Sequence, residues 1–188
     1  MLFFSAIFAG LFGLILGIIM VVTDRGRILE NKVVYSILDK LTNIFRSIPF
    51  IILLALVAPL TRVIVDTRIG PKAAIVPLVV SCVPFFARQV EQALAEVDPG
   101  VIEAAEAMGK SPFEIITSVY LREGLPNLIR AGSITLISLL GLTAMAGLIG
   151  GGGIGDLAIS VGYNRYKDDV VLVLSLIHIS EPTRPERI

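Results

Sequence analysis

The sequence is poor in charged residues and in cysteine. Only 17% of its 188 residues are Asp, Glu, Lys or Arg, whereas a soluble globular domain carries about 25%. Lys and Arg together number 16, and so do Asp and Glu, so no basic surface for nucleic acid is expected. The single cysteine, Cys82, cannot form an internal disulfide. These shortages exclude a soluble two-domain enzyme, a disordered chain and a disulfide-rich secreted module.

Motifs of catalysis and metal binding are also missing. The sequence has no His-Glu-x-x-His, Gly-x-Ser-x-Gly or Cys-x-x-Cys pattern. The glycine run at residues 150–153 lacks the Gly-Lys-Ser/Thr ending of a phosphate loop, and we interpret it as a flexible exit from a helix. We therefore predict no catalytic residue, no metal and no cofactor, and the protein is not expected to be an enzyme.

Long uncharged blocks are what the sequence has in abundance. Five of them lie at residues 1–23, 47–61, 73–87, 131–155 and 170–180. A helix needs about 20 apolar residues to cross ~30 Å of hydrocarbon. The first and fourth blocks are long enough, and the second and third can span if flanking Lys and Arg side chains reach the interfaces. The second span can also begin earlier, near Leu41. The predicted fold class is an all-α polytopic membrane protein with about five transmembrane helices.

The distribution of basic residues predicts the orientation of these spans. Arg25 and Arg27 follow the first block rather than precede it, which favours a membrane helix over a cleaved signal peptide. The loops after the first and third spans carry most of the Lys and Arg. The positive-inside rule therefore places these two loops in the cytoplasm, with the N-terminus outside.

The long loop between the third and fourth spans predicts two short helices. Asp98 and Pro99 provide an N-cap and a proline at the first helical position, and Gly109 ends that helix. Ser111 and Glu114 form a capping-box pattern that starts the second helix. A pair of surface helices suits docking into a groove of a partner, and a solvated loop without a partner is an equally good interpretation of these residues alone.

This loop resembles the EAA motif of the membrane subunits of bacterial ABC importers. The matching residues are Glu103, Ala104, Ala105, Gly109, Val119 and Leu121. The family pattern ends in Leu-Pro, whereas Arg122 stands at the position of that proline. In that family the loop is a coupling helix that sits in a cleft of the ATPase subunit. The resemblance therefore implies that these six residues couple the chain to cytoplasmic ABC ATPase subunits.

Other segments resemble the permeases of bacterial methionine importers. They lie at residues 43–54, 62–65, 74–78 and 84–88. The resemblance implies a homodimer in the bacterial inner membrane, in contact with lipid, above two ATPase subunits. It also implies that an extracytoplasmic methionine-binding protein delivers D- or L-methionine to the outer side, near Tyr163, Asn164 and Tyr166. Two alternatives stay open: an importer permease for another amino acid, and a passive channel or structural subunit without ATPases.

Small and hydroxyl-bearing residues in the fourth block indicate one wall of a route across the membrane. Small residues let helices approach closely, and hydroxyls can face an interface or a substrate. The residues that we assign to the translocation path are Ser133, Ser138, Gly141, Thr143 and Met145. Kinks at the prolines of the second and third spans could line the same route, although proline is also common in membrane helices.

The C-terminal residues 175–188 are expected to be non-native. The stretch from Leu174 to Arg184 looks like a sequencing-library adapter translated as protein, and it contains the only histidine, His178. The fifth block is about 16 Å long as a helix, too short to cross the membrane. We therefore expect a transmembrane permease domain at residues 1–174, truncated at both ends, and few contacts from residues after Ser180.

Overall fold

The computed structural model describes residues 1–179, which are predominantly α-helical. In chain order the helices are α1 (Leu2–Thr23), α2 (Lys32–Ser47), α3 (Phe50–Val65), α4 (Pro71–Ala95), α5 (Pro99–Ala107), α6 (Pro112–Ile115), α7 (Leu121–Glu123), α8 (Leu125–Ala146), α9 (Gly153–Leu157) and α10 (Asp168–Ile179). Two π-helical segments, Ile116–Tyr120 and Ala158–Tyr163, and a 3-10 turn, Gly147–Ile149, lie between them. No β-strand is present in the described part of the chain. The all-α prediction is confirmed.

Within residues 1–179, three helices are long and apolar enough to cross a membrane, namely α1, α4, and α8 with its 3-10 turn; the bent pair of α2 and α3 gives a fourth candidate if it counts as one span. The first two form the central pair, and glycine lets their backbones approach. A Cβ atom at Gly17 would lie 2.6 Å from the carbonyl oxygen of Ala87 and 2.6 Å from Cβ of Val90, so any side chain there would force the helices apart. On the outer side of α1, large apolar residues such as Phe3 and Leu11 are exposed, as suits contact with lipid.

The second predicted span is broken. Helices α2 and α3 meet at an angle of 111° around Ile48 and Pro49. Proline disfavours helical backbone at the residue before it, and Ile48 is accordingly extended, with φ −79° and ψ 121°. A continuous span beginning near Leu41 is therefore wrong. Helix α2 is instead amphipathic: Val33 and Ile37 are exposed on one side, whereas polar residues on the other side face α4.

Two hydrogen bonds determine which loops share a side of the bundle. The Nη2 of Arg27, after α1, donates to the carbonyl oxygen of Ala95, at the end of α4, over 3.0 Å. At the opposite end, the amide of Gly70 donates to the carbonyl oxygen of Ile149 over 2.9 Å. The predicted pairing of the loops is thus confirmed, and the location of the Arg27 side in the cytoplasm stays a prediction from the charge distribution.

The fourth predicted span differs from the uncharged block at both ends. Helix α8 begins at Leu125, before Arg130, and ends at Ala146. After the glycine run the chain turns back, and α9 packs against α8. A Cβ atom at Gly155 would lie 2.3 Å from Cα of Ala144. The glycine-rich segment thus lets the chain pack closely against α8. We expected only a flexible exit from the helix there and did not predict this packing.

The fifth predicted span begins at Asp168 as α10, described as far as Ile179. Twelve residues correspond to about 18 Å of helix. The expectation that residues after Ser180 make few contacts lies outside the described residues, and the division at residue 174 stays a prediction.

Candidate functional site

Helix α5 has the ends that its sequence predicts. Oδ1 of Asp98 accepts a hydrogen bond from the amide of Gly100 over 2.8 Å, and Pro99 occupies the first turn. At the other end, Gly109 has φ +77°, and its amide donates to the carbonyl oxygen of Glu106 over 2.9 Å. The N-cap, the proline and the glycine stop are therefore confirmed.

The second helix of the pair begins with a complete capping box. Glu114 donates its amide to Oγ of Ser111 over 3.4 Å, and the amide of Ser111 donates to Oε2 of Glu114 over 2.8 Å. This backbone hydrogen bond lowers the pKa of Glu114 below its ordinary value, so its carboxylate is ionised at neutral pH. The helix then runs through the π-helical segment and α7 almost directly into α8. The helix pair is thereby connected to a membrane-spanning helix with almost no intervening loop.

Part of the predicted coupling set lies inside the protein. Ala105 is 2% exposed and Val119 is 5% exposed, and Leu121 is half-buried. The first two belong to an apolar cluster between the helix pair and the ends of α1 and α4. That cluster consists of Val21, Val22, Val90, Leu94, Val97, Ile102, Ala105, Ile115, Val119 and Tyr120. Ala105 and Val119 therefore hold the pair against the membrane-spanning helices.

The remaining coupling residues are accessible. Glu103, Ala104 and Gly109 are exposed on α5 and at the turn. Two large apolar residues that our sequence analysis missed flank this turn: Met108 is 71% exposed and Phe113 is 73% exposed. Exposed apolar residues grouped in this way mark contact surfaces.

A pattern in the sequence could have identified Phe113. The residue is two positions before Ile115, and residues two apart do not share a face of a helix. Since Ile115 and Val119 face the protein, Phe113 must point away from it. We name the surface formed by Glu103, Ala104, Met108, Gly109 and Phe113 the coupling surface.

The five predicted path residues on α8 do not lie together. Ser133, Gly141 and Met145 are exposed, and Ser138 and Thr143 are half-buried. Ser138 lines a cavity between α2, α3, α4 and α8, whereas Thr143 lines another, next to the glycine run. At about 100° per residue, Thr143 lies on the opposite side of the helix from Ser138, Gly141 and Met145.

A polar cluster connects α2 to α4. The guanidinium of Arg88 forms ion pairs with Asp39 and, over 2.7 Å, with Glu91, and it donates to Oδ1 of Asn43 over 3.2 Å. The hydroxyl of Tyr35 donates to Oε1 of Glu91 over 2.9 Å. These residues belong to helices that are far apart in the chain, so no short-range pattern in the sequence indicates the cluster. The cluster fixes the position of α2 against α4.

Comparison with known proteins gives one family and several close relatives. Residues 6–179 match the family described as "binding-protein-dependent transport system inner membrane component". A probable D-methionine transport system permease protein MetI of Pasteurella multocida is 47% identical over 163 residues, which are 87% of this chain and 75% of that protein. The D-methionine transport system permease protein MetI of Escherichia coli K12 is 51% identical over 147 residues, which are 78% of this chain and 68% of that protein.

Solved structures agree with this assignment. An inward-facing conformation of the MetNI methionine ABC transporter matches with a TM-score of 0.88 at 45% identity, covering 95% of this chain and 84% of that one. An amino acid ABC transporter crystallised with histidines matches with a TM-score of 0.70 at 18% identity, covering 93% of this chain and 81% of that one, and shows a shared fold. The chain is a multi-pass membrane protein and belongs to the family of binding-protein-dependent transport system inner membrane components.

Proposed function

We propose that the chain is the permease subunit of an ATP-driven importer and forms the path of methionine across the bacterial inner membrane. The observation that carries the proposal is the 45% identity to the MetNI methionine transporter over 95% of the chain. In this proposal two copies form a homodimer, ABC ATPase subunits bind beneath it, and a methionine-binding protein delivers the substrate from outside. The chain itself hydrolyses nothing.

The coupling surface is the proposed contact with the ATPase. Met108 and Phe113 present apolar side chains to the cytoplasm, and Glu103 adds a charge beside them. The buried Ala105 and Val119 support this surface from behind. Closure of the ATPases would move the helix pair, and the nearly continuous helix from Pro112 through α8 would carry that movement into the membrane.

The proposed route follows the exposed side of α8. Ser133, Gly141 and Met145 have little covering them in this chain, and Ser138 lies at the edge of the same side. A Cβ atom at Gly141 would have no neighbour within 4 Å. This side of α8 is therefore free to face the second copy, and the path would run between the two.

Replacement of Gly141 by leucine tests this route. No strain within the subunit is expected, since the site is open, and leucine adds apolar surface that favours membrane insertion. We expect methionine uptake to fall at least about tenfold while the amount of inserted protein stays unchanged. Leucine at Gly10, which also has no neighbour within 4 Å but lies on α1, is the matched control. Native uptake and native dimer stability in the Gly141 variant would place the route elsewhere.

Reconstitution in vesicles separates the remaining alternatives. The chain, its ATPase and its binding protein are reconstituted together, and uptake is measured across a panel of amino acids with and without ATP. The proposal requires uptake of methionine that depends on both ATP and the binding protein. Uptake confined to another amino acid would identify an importer with different cargo, and ATP-independent uptake would indicate a passive channel.

A further inference from the structure

A cavity whose lining includes an arginine lies where α2 breaks into α3. Its volume is about 460 Å³, and it is lined by Phe45, Arg46, Ser81, Phe85, Ser138 and Leu142, among others. Ser81 lies midway along α4, and Ser138 lies midway along α8. The cavity is therefore at the level of the middle of the spans, and its volume is within the range of small-molecule sites.

Arg46 does not lie where its sequence context suggested. We expected this side chain to reach the membrane interface, yet it shares a cavity with two mid-span serines. An arginine at this depth is costly unless it faces a water-filled cavity or a partner, and such residues mark functional sites. The break at Ile48 and Pro49 places Arg46 there, because it ends α2 at this level.

The charge of Arg46 is not neutralised by the part of the chain that the structure describes. Arg88, on the neighbouring α4, is paired with two carboxylates, those of Asp39 and Glu91. By contrast, no carboxylate within residues 1–179 lies within ion-pair distance of Arg46. The cavity therefore offers an uncompensated guanidinium, which suits a carboxylate ligand.

The two serines of the cavity also have free hydroxyls. Hydroxyls inside helices commonly bond to a carbonyl one turn earlier; on α8, Ser133 donates to Ile129 over 3.0 Å and Thr135 to Ala131 over 2.8 Å. For Ser81 and Ser138, no hydrogen bond of the hydroxyl is formed with the described part of the chain. These oxygens are available to a ligand and can accept from an ammonium group.

The rest of the lining is apolar. Phe45, Phe85 and Leu142 form a surface that would accommodate a flexible hydrophobic side chain, and aromatic rings make favourable contacts with a thioether sulfur. We propose that this cavity is a transient binding site for the amino-acid substrate, with its carboxylate on Arg46 and its ammonium group near Ser81 and Ser138. The assignment of methionine as that substrate rests on the function proposed above.

The test measures binding of radiolabelled L-methionine to the permease–ATPase complex in phosphatidylcholine nanodiscs, without the binding protein. For the wild type we expect saturable binding and at least about tenfold weaker competition by methioninamide, because the amide lacks the charge that Arg46 recognises. In the Arg46→Gln variant methionine should bind at least about tenfold more weakly, and the two compounds should compete equally. Arg46→Lys should retain part of the preference, and Arg25→Gln, at an exposed loop position, should bind as the wild type does.

Several results would overturn the proposal. They are absence of saturable methionine binding, equal competition by methionine and its amide in the wild type, and an Arg46→Gln variant with native affinity and preference. A different result would assign Arg46 to a lipid headgroup: methionine and methioninamide compete equally, and methionine binds more weakly when the nanodiscs contain phosphatidylglycerol in place of phosphatidylcholine. If the Arg46→Gln variant does not assemble with the ATPase, the competition between methionine and methioninamide in the wild type decides whether the proposal holds. ATP-driven methionine uptake by the wild type is measured in parallel. Normal uptake without the expected binding would contradict the proposed cavity site alone, whereas absence of uptake would contradict the proposed importer function.

Discussion

Replacement of Gly109 by valine is expected to reduce ATP-driven uptake to background while the protein still inserts into the membrane. Gly109 has φ +77°, a conformation that costs a residue with a side chain about 1–3 kcal/mol and a β-branched residue the most. This turn joins the two helices of the coupling surface, and it is held by the hydrogen bond from the amide of Lys110 to the carbonyl oxygen of Ala105. A valine would relieve its strain by changing the angle between the helices, and the surface would no longer match its partner.

A matched variant separates backbone strain from steric hindrance. A Cβ atom at Gly109 would have no neighbour within 4 Å, so space is not limiting within the subunit. Asparagine tolerates positive φ far better than valine, and Gly109→Asn should therefore keep a substantial share of uptake. Uptake rate, ATPase co-purification and membrane content are measured for both variants. Native uptake in the valine variant, or equal loss in both, would contradict an effect of the backbone conformation.

The ends of the coupling helices could be predicted from the sequence because short-range chemistry determines them. Asp98, Ser111 and Glu114 satisfy backbone groups within three residues of themselves, and Gly109 meets a local requirement for positive φ. Such signals do not depend on the rest of the fold. Which coupling residues are buried could not be predicted in this way, since Ala105 is buried by residues of α1 and α4 that are distant in the chain.

The span boundaries were less predictable, for a physical reason. The boundaries of an uncharged block are set by the positions of charged residues, whereas a helix ends where backbone hydrogen bonding is interrupted. Helix α8 therefore extends past Arg130 to Leu125, because a long basic side chain can reach the interface from inside a helix. Conversely, the helix breaks before Pro49, inside an uncharged block, so the positions of charged residues did not predict this break. The ligand-sized cavity at Arg46 follows from that break, and charge counting could not reveal it.

Replacement of Arg88 by glutamine is expected to destabilise the subunit strongly. The Arg88 side chain is 14% exposed and that of Glu91 is 10% exposed, so removal of the guanidinium leaves a nearly buried carboxylate without its counter-charge. Loss of one partner of a buried pair costs about 3–5 kcal/mol. Asp39 and Asn43 would lose the same partner, and α2 would be released from α4. Thermal unfolding of the purified protein in nanodiscs, and protease accessibility of α2, measure the effect.

Two further variants show whether the loss comes from the unpaired charge. Lys32→Gln removes an exposed ion pair with Glu30, whose side chains are 68% and 41% accessible, and it should leave the unfolding temperature unchanged. In the double variant Arg88→Gln with Glu91→Gln, the uncompensated buried charge disappears. Stability should therefore recover in part, because neutral groups of similar size are far cheaper to bury than one unpaired carboxylate. The recovery should stop short of the native value, since Asp39 still lacks its partner. A double variant less stable than Arg88→Gln alone would show that packing of the long side chain, and not its charge, connects α2 to α4.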